Sequence, residues 1–127
     1  MIIGIGTDIV SVARISAAYV RQGAAFTRRL LSDSELAEFA AVKVPGPWLA
    51  KRWAAKEAFG KAAGTGIRMP LTLSGIGVGH DQLGRPFFEL APVVLAHLQT
   101  LGVTQTHLSI SDEREHAIAF AVFEKLV

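Results

Sequence analysis

Residues 52–67 read RWAAKEAFGKAAGTGI. Trp53, Ala54, Ala55, Ala58, Phe59, Ala62 and Ala63 belong to a helix built for burial, yet Lys56, Glu57 and Lys61 sit among them and Gly64-Thr65-Gly66 follows. Trp53, Glu57 and Lys61 are spaced by four and so share one helical face. An exposed Glu57–Lys61 pair, contributing about 0.3–0.5 kcal/mol, is one reading of that spacing. The small residues around it support another. Ala54, Ala58, Gly60 and Ala62 let a helix pack closely, and Gly4 and Gly6 give a strand that can be approached closely. If those two surfaces meet, Asp8 and Glu57 arrive together.

Outward from this helix, Ile2–Val10 alternates, with Ile3, Ile5, Thr7 and Ile9 on one face and Gly4, Gly6 and Asp8 on the other, as a strand does. Residues 12–21 form a first helix, bearing Arg14 and Arg21 and stopped near Gly23. Ser32 and Glu35 make a capping box, with Leu31 and Leu36 as its hydrophobic staple, and start a second helix running to about Val42. The central helix runs from about Pro47 to Ala63 and stops at Gly64. Ser74–Val78 and Pro86–Leu90 are short strands around an Asp81–Gly84 turn, and Pro92–Leu101 is a helix closed by Gly102. Thr106–Ser111 and His116–Glu124 form a hairpin turning through Asp112–Glu115. The fold class is α+β, helices packed with an antiparallel sheet, and residues 1–127 read as a single domain.

The hydrophobic fraction is 50% and the mean hydropathy +0.37, high for a small monomer that has much surface to cover. Apolar surface buried against another chain is therefore expected. No apolar run reaches the roughly 18 residues of a membrane span, and the N-terminal stretch lacks a basic leader. There is no cysteine, which excludes thiolate chemistry and fits a cytoplasmic location. The net charge of +2 is unevenly spread: residues 1–68 hold ten Lys/Arg against five Asp/Glu, and residues 69–127 hold three against six. A basic first half fits an anionic partner or a solvated surface.

Two carboxylates brought together repel unless a proton or cation lies between them. An oxygen-only pair suits magnesium, which takes one or two protein carboxylates and completes its shell with water and substrate phosphate. Lys61, one turn on, is placed to hold a phosphate oxygen. Gly64-Thr65-Gly66 is either a small nest of N–H donors or a glycine C-cap, and a helix C-terminus repels anions unless Lys61, Arg68 or a metal offsets it.

GIGTDIVSVARI at 4–15 together with RWAAKEAFGKAAGTGI at 52–67 resembles the holo-acyl-carrier-protein synthase family of small 4′-phosphopantetheinyl transferases. LSDSE at 31–35, LGRP at 83–86 and HLSISDEREHAIAFAV at 107–122 extend the resemblance over nearly the whole chain. It implies the 4′-phosphopantetheinyl transferase fold and transfer of 4′-phosphopantetheine from coenzyme A to a serine hydroxyl of an apo acyl carrier protein, releasing adenosine 3′,5′-bisphosphate. It further implies that Asp8 and Glu57 hold Mg2+, that Lys61 contacts phosphate, and that Arg52 with Gly64, Thr65 and Gly66 lines the coenzyme A site. Glu57, Lys61 and Asp8 are thus the expected catalytic group, and the charges on the helix become a metal and phosphate site. The serine proton has four possible acceptors: Glu57, Asp33, Glu35 or a metal-bound water. Arg14, Arg21 and Arg28 are the expected docking residues for the acidic carrier, and homotrimers with interfacial sites are the family's assembly. Asp112 stands where many family members have histidine, so that histidine's role does not carry over; Asp112 accepts a hydrogen bond, contacts the metal's water shell or is a hairpin-turn aspartate. His80, His97, His107 and His116 lack ligand spacing.

A different class, a non-catalytic oligomeric nucleotide-binding module, would use the basic half and Gly-Thr-Gly alone; paired carboxylates weaken anion binding and argue against it. A nucleic-acid-binding protein is disfavoured by 8% aromatic content and the acidic second half.

Overall fold

The alternation of Ile2–Val10 becomes strand β1 (Ile2–Ser11) in a computed structural model that describes residues 1–127. Ser11 then caps helix α1 (Val12–Gln22) by accepting from the Arg14 N–H. Gly23 separates it from α2 (Ala24–Leu30), followed by α3 (Asp33–Phe39) and the long central helix α4 (Pro45–Ala62). The chain continues through β2 (Ile76–His80), β3 (Pro86–Leu90), α5 (Pro92–Thr100), β4 (Gln105–Asp112) and β5 (His116–Glu124).

Helix α2 has no counterpart in the sequence reading. It has seven residues and no side-chain cap, and a helix so short does not stand alone in water; it forms because Phe26, Thr27 and Leu30 are buried. The α3 capping box is present in both directions, but the helix ends at Phe39, because the Ala41 and Val42 N–H groups turn to Glu38 and Phe39 three residues back. Helix α4 starts at Pro45, since a first turn has no use for the N–H that proline lacks.

There are two antiparallel sheets, one of order β1-β5-β4 and one pairing β2 with β3. In the larger, Ala117, Ala119, Ala121 and Phe123 face α4 and are buried. Phe59 of α4 meets Phe123 edge-on at 4.7 Å and Phe88 of β3 at 4.9 Å, joining the two sheets through one ring; such pairs add about 0.5–1.5 kcal/mol each beyond burial. The opposite face of the larger sheet is bare. Ile5 and Ile9 are each 60% exposed, with Ile118 and Phe120 beside them. Part of the apolar excess noted in the composition thus lies exposed on one sheet face.

Candidate active site

The glycine face of β1 and the alanine face of α4 do meet. A Cβ on Gly4 would lie 2.0 Å from the Ala62 carbonyl oxygen, and one on Gly6 would lie 2.1 Å from that of Ala58. Any side chain at these positions would push the strand away. Two residues beyond Gly6, Asp8 points to the same side, and its Oδ1 lies 3.1 Å from Lys61 Nζ, which also donates to the Thr7 carbonyl at 2.9 Å. Glu57, one turn before Lys61, has its carboxyl held above the ordinary value by burial and next by the charge of Asp8, with Lys61 and Arg14 pulling the other way. The structure thus assembles the cluster Asp8, Glu57 and Lys61 expected from the sequence.

Two carboxylates, one of them raised by burial and by its neighbour, form an oxygen-donor pair that a divalent cation would relieve, so the residues fit magnesium. No group of three or more His, Cys, Asp or Glu side chains forms a metal cage. The Lys61 side chain is 53% exposed and borders an open cleft of about 400 Å³ with Ile5, Gly6, Thr7 and Phe120. Arg14 leans over Trp53 at 5.9 Å on the same side of α4, so α1 runs beside the cluster. Arg21 and Arg28 are exposed on α1 and α2.

Arg52, expected to line the coenzyme site, lies apart from this cluster. Five residues from Glu57, it lies about 140° around the helix. It is 3% exposed, stacked on Trp48 at 3.5 Å and bridged to Glu35 at 3.3 Å and Glu38 at 3.2 Å. Lys56 likewise leaves the group of site charges: it is fully buried, with Nζ 2.6 Å from Glu35 Oε1. Glu35 in turn cannot be the proton acceptor. Its Oε1 accepts from Ser32 N–H and Lys56, and its Oε2 from Val78 N–H. Sequence reasoning found only the capping half of this residue's work. Asp33 is exposed in the first turn of α3, and no hydrogen bond or ion pair ties it to the cluster.

At Gly64-Thr65-Gly66 the glycine C-cap prevails. Gly64 and Gly66 have φ of 84° and 70°, and their N–H groups donate to the Lys61 and Gly60 carbonyls. Of the expected nest only the Thr65 N–H has no protein acceptor, and the Thr65 hydroxyl donates to Gly66 O. Asp112 ends β4 opposite Ala117 and borders a separate cleft of about 210 Å³ with Ile9, Glu113 and His116.

Residues 4–121 match the family model described as the 4′-phosphopantetheinyl transferase superfamily, and the chain belongs to that superfamily. Among its curated relatives, the holo-[acyl-carrier-protein] synthase of Laribacter hongkongensis is 52% identical over 124 residues, 98% of this chain and 99% of that protein. The crystal structure of holo-[acyl-carrier-protein] synthase from Neisseria meningitidis superposes with a TM-score of 0.95 at 49% identity, covering 98% of this chain and 100% of that one. A holo-(acyl-carrier-protein) synthase from Bacillus anthracis, solved in complex with CoA (3′,5′-ADP), matches with a TM-score of 0.83 at 33% identity over 99% of each chain.

Proposed function

We propose that Asp8, Glu57 and Lys61 form the catalytic centre of a holo-[acyl-carrier-protein] synthase contained in one domain, residues 1–127. The activity is transfer of 4′-phosphopantetheine from coenzyme A to a serine hydroxyl of an apo acyl carrier protein. The observation that carries the residue assignment is the juxtaposition of Asp8 with Lys61 and Glu57 across a glycine-on-alanine contact.

In this reading Asp8 and Glu57 hold Mg2+, which when bound supplies positive charge to the phosphate oxygens as the transition state develops. Lys61, on an exposed stem fixed by Asp8 and the Thr7 carbonyl, binds a phosphate oxygen of the coenzyme. The serine oxygen forms a bond to the pantetheine-side phosphorus, the pyrophosphate bond to the nucleotide breaks, and adenosine 3′,5′-bisphosphate leaves. With Glu35 committed elsewhere and Asp33 apart, Glu57 and a metal-bound water are the acceptors left for the serine proton. Thr65 contributes its N–H to the coenzyme side.

Arg14, Arg21 and Arg28 form the docking surface for the acidic carrier, supported by the exposure of all three on consecutive helices, of which α1 runs beside the cluster. The bare isoleucine face of the β1-β5-β4 sheet packs in a homotrimer, supported by its exposed apolar area. The enzyme works in the cytoplasm; no helix is long and apolar enough to cross a membrane.

Mass spectrometry of an apo acyl carrier protein incubated with this protein, coenzyme A and magnesium tests the activity. The carrier should gain one phosphopantetheine group. Binding of the coenzyme with no mass gain would return the chain to a non-catalytic nucleotide-binding module.

A further inference from the structure

Lys56 is the one charged residue in the second half of α4 that the site does not use. It is wholly buried, and its Nζ donates to Glu35 Oε1 and to the carbonyl of Leu30, the last residue of α2. Glu35 passes the connection on. It caps α3 through Ser32, accepts the Val78 N–H of β2 at 3.2 Å and faces Arg52 at 3.3 Å. Burial lowers the pKa of Lys56, and Glu35 opposes that shift by favouring the charged amine. A directional hub thus holds α4 on the side away from β1.

On the β1 side the contact is of a different kind. Gly4 and Gly6 lie against backbone of Ala58 and Ala62. This contact fixes the distance between strand and helix, while rotation of the helix about its axis is resisted by Phe59 against Phe123 and Phe88, by the exposed bonds of Lys61 to Thr7 and Asp8, and on the opposite side by the buried bonds of Lys56. Successive helical residues are turned by about 100°, so the rotation set at Lys56 aims its neighbour Glu57. A turn of 10–20° would carry a carboxylate some 5–6 Å from the axis through roughly 1–2 Å, a displacement that costs on the order of 10²-fold in rate when reacting groups must be aligned.

We propose that Lys56 is a positioning residue for the transfer reaction, its bonds to Glu35 and the Leu30 carbonyl setting the rotation of α4 so that Glu57 faces Asp8. The inference rests on the reading of Asp8 and Glu57 as the catalytic pair. Lys56 has a share in stability as well. Without its charge, buried Arg52 still stands opposite buried Glu35, one for one, and Glu38 is 53% exposed. A variant lacking the amine therefore keeps one buried pair, but it takes a donor from Glu35 Oε1 and from the Leu30 carbonyl and so also costs stability.

The experiment compares Lys56→Met, Lys56→Gln and Glu57→Gln for thermal unfolding and for transfer to an apo carrier protein with coenzyme A and magnesium. Lys56→Met should melt at a lower temperature yet be folded under assay conditions, and lose about tenfold or more in kcat per folded molecule, with KM for both substrates within about threefold. Lys56→Gln, whose shorter amide reaches only one of the two acceptors, should fall between. Wild-type kcat in Lys56→Met beside an inactive Glu57→Gln would overturn the positioning role while leaving the catalytic pair standing. Full activity in Glu57→Gln would instead overturn the catalytic pair. A kcat loss matched by an equal loss of folded protein, or failure of both Lys56 variants to fold, would make Lys56 a folding element only.

Discussion

Gly6 lies so close to Ala58 that a Cβ on the glycine would come within 2.1 Å of the alanine carbonyl oxygen. Asp8, two residues along β1 on the same face, reaches the α4 surface carrying Glu57 and Lys61 only because of that approach. Gly6→Ala should therefore destabilise the fold by about 1–3 kcal/mol or more, as overpacking does, and separate Asp8 from Lys61. Urea unfolding gives the first quantity. A midpoint equal to wild type would mean that the strand relaxes at no cost and that the approach is not required.

Asp8→Asn and Glu57→Gln should each lower kcat by about 10²-fold or more, and the double variant should be little worse than either, because groups that act as a unit are not additive. Both single variants should remain folded, since neutralising one carboxylate relieves repulsion. Steady-state kinetics of the three proteins checks this; multiplied losses in the double variant would show two independent roles.

The raised pKa of Glu57 has a signed effect on stability. Burial first and Asp8 second hold this carboxyl above 4.5, against Lys61 and Arg14, so the folded chain binds the proton more tightly than the unfolded one. The resulting contribution is fully present below the unfolded value and is lost as pH rises through the folded value. In metal-free buffer, Glu57→Gln should then raise Tm at neutral pH, with the gain shrinking as pH falls towards 4.5. A gain independent of pH would place its origin outside this titration.

Charge reversal at Arg14 or Arg21 should raise KM for the carrier several-fold, and less at high salt because screening already weakens the wild-type attraction. Arg14 also leans over Trp53 and acts on Glu57, so its reversal should lower kcat as well, while that of Arg21 should not. Equal effects on carrier and coenzyme KM at Arg21 would indicate a shared site or structural damage.

Light scattering at micromolar concentration should give about three times the 13.6 kDa chain mass, and Ile5→Lys, on the bare sheet face, should lower it. An active monomer would contradict both the trimer and an interfacial site.

Much of this was legible because it is local. The alternation of β1, the Ser32–Glu35 capping box and the four-residue spacing of Trp53, Glu57 and Lys61 each depend on neighbours in sequence, and each is present. The buried hub was not legible. Lys56 and Arg52 differ from Lys61 only in which side of α4 they occupy, and what covers that side is set by α2, α3 and β2, segments distant in sequence. Glu35 shows the same limit: its capping role lies within four residues, whereas its bonds to Lys56 and Val78 span 21 and 43. Helix α2 has too few residues to display a period, and tertiary burial of Phe26 and Leu30 supplies what its sequence lacks.

The central claim is that Asp8 and Glu57 together hold one divalent cation, and it is tested most directly by calorimetric titration of manganese into the protein in the presence of coenzyme A. One ion should bind per chain, with affinity rising with pH as the Glu57 proton is displaced, and binding should be lost or strongly weakened in both Asp8→Asn and Glu57→Gln. Binding that survives either substitution unchanged would contradict a shared site.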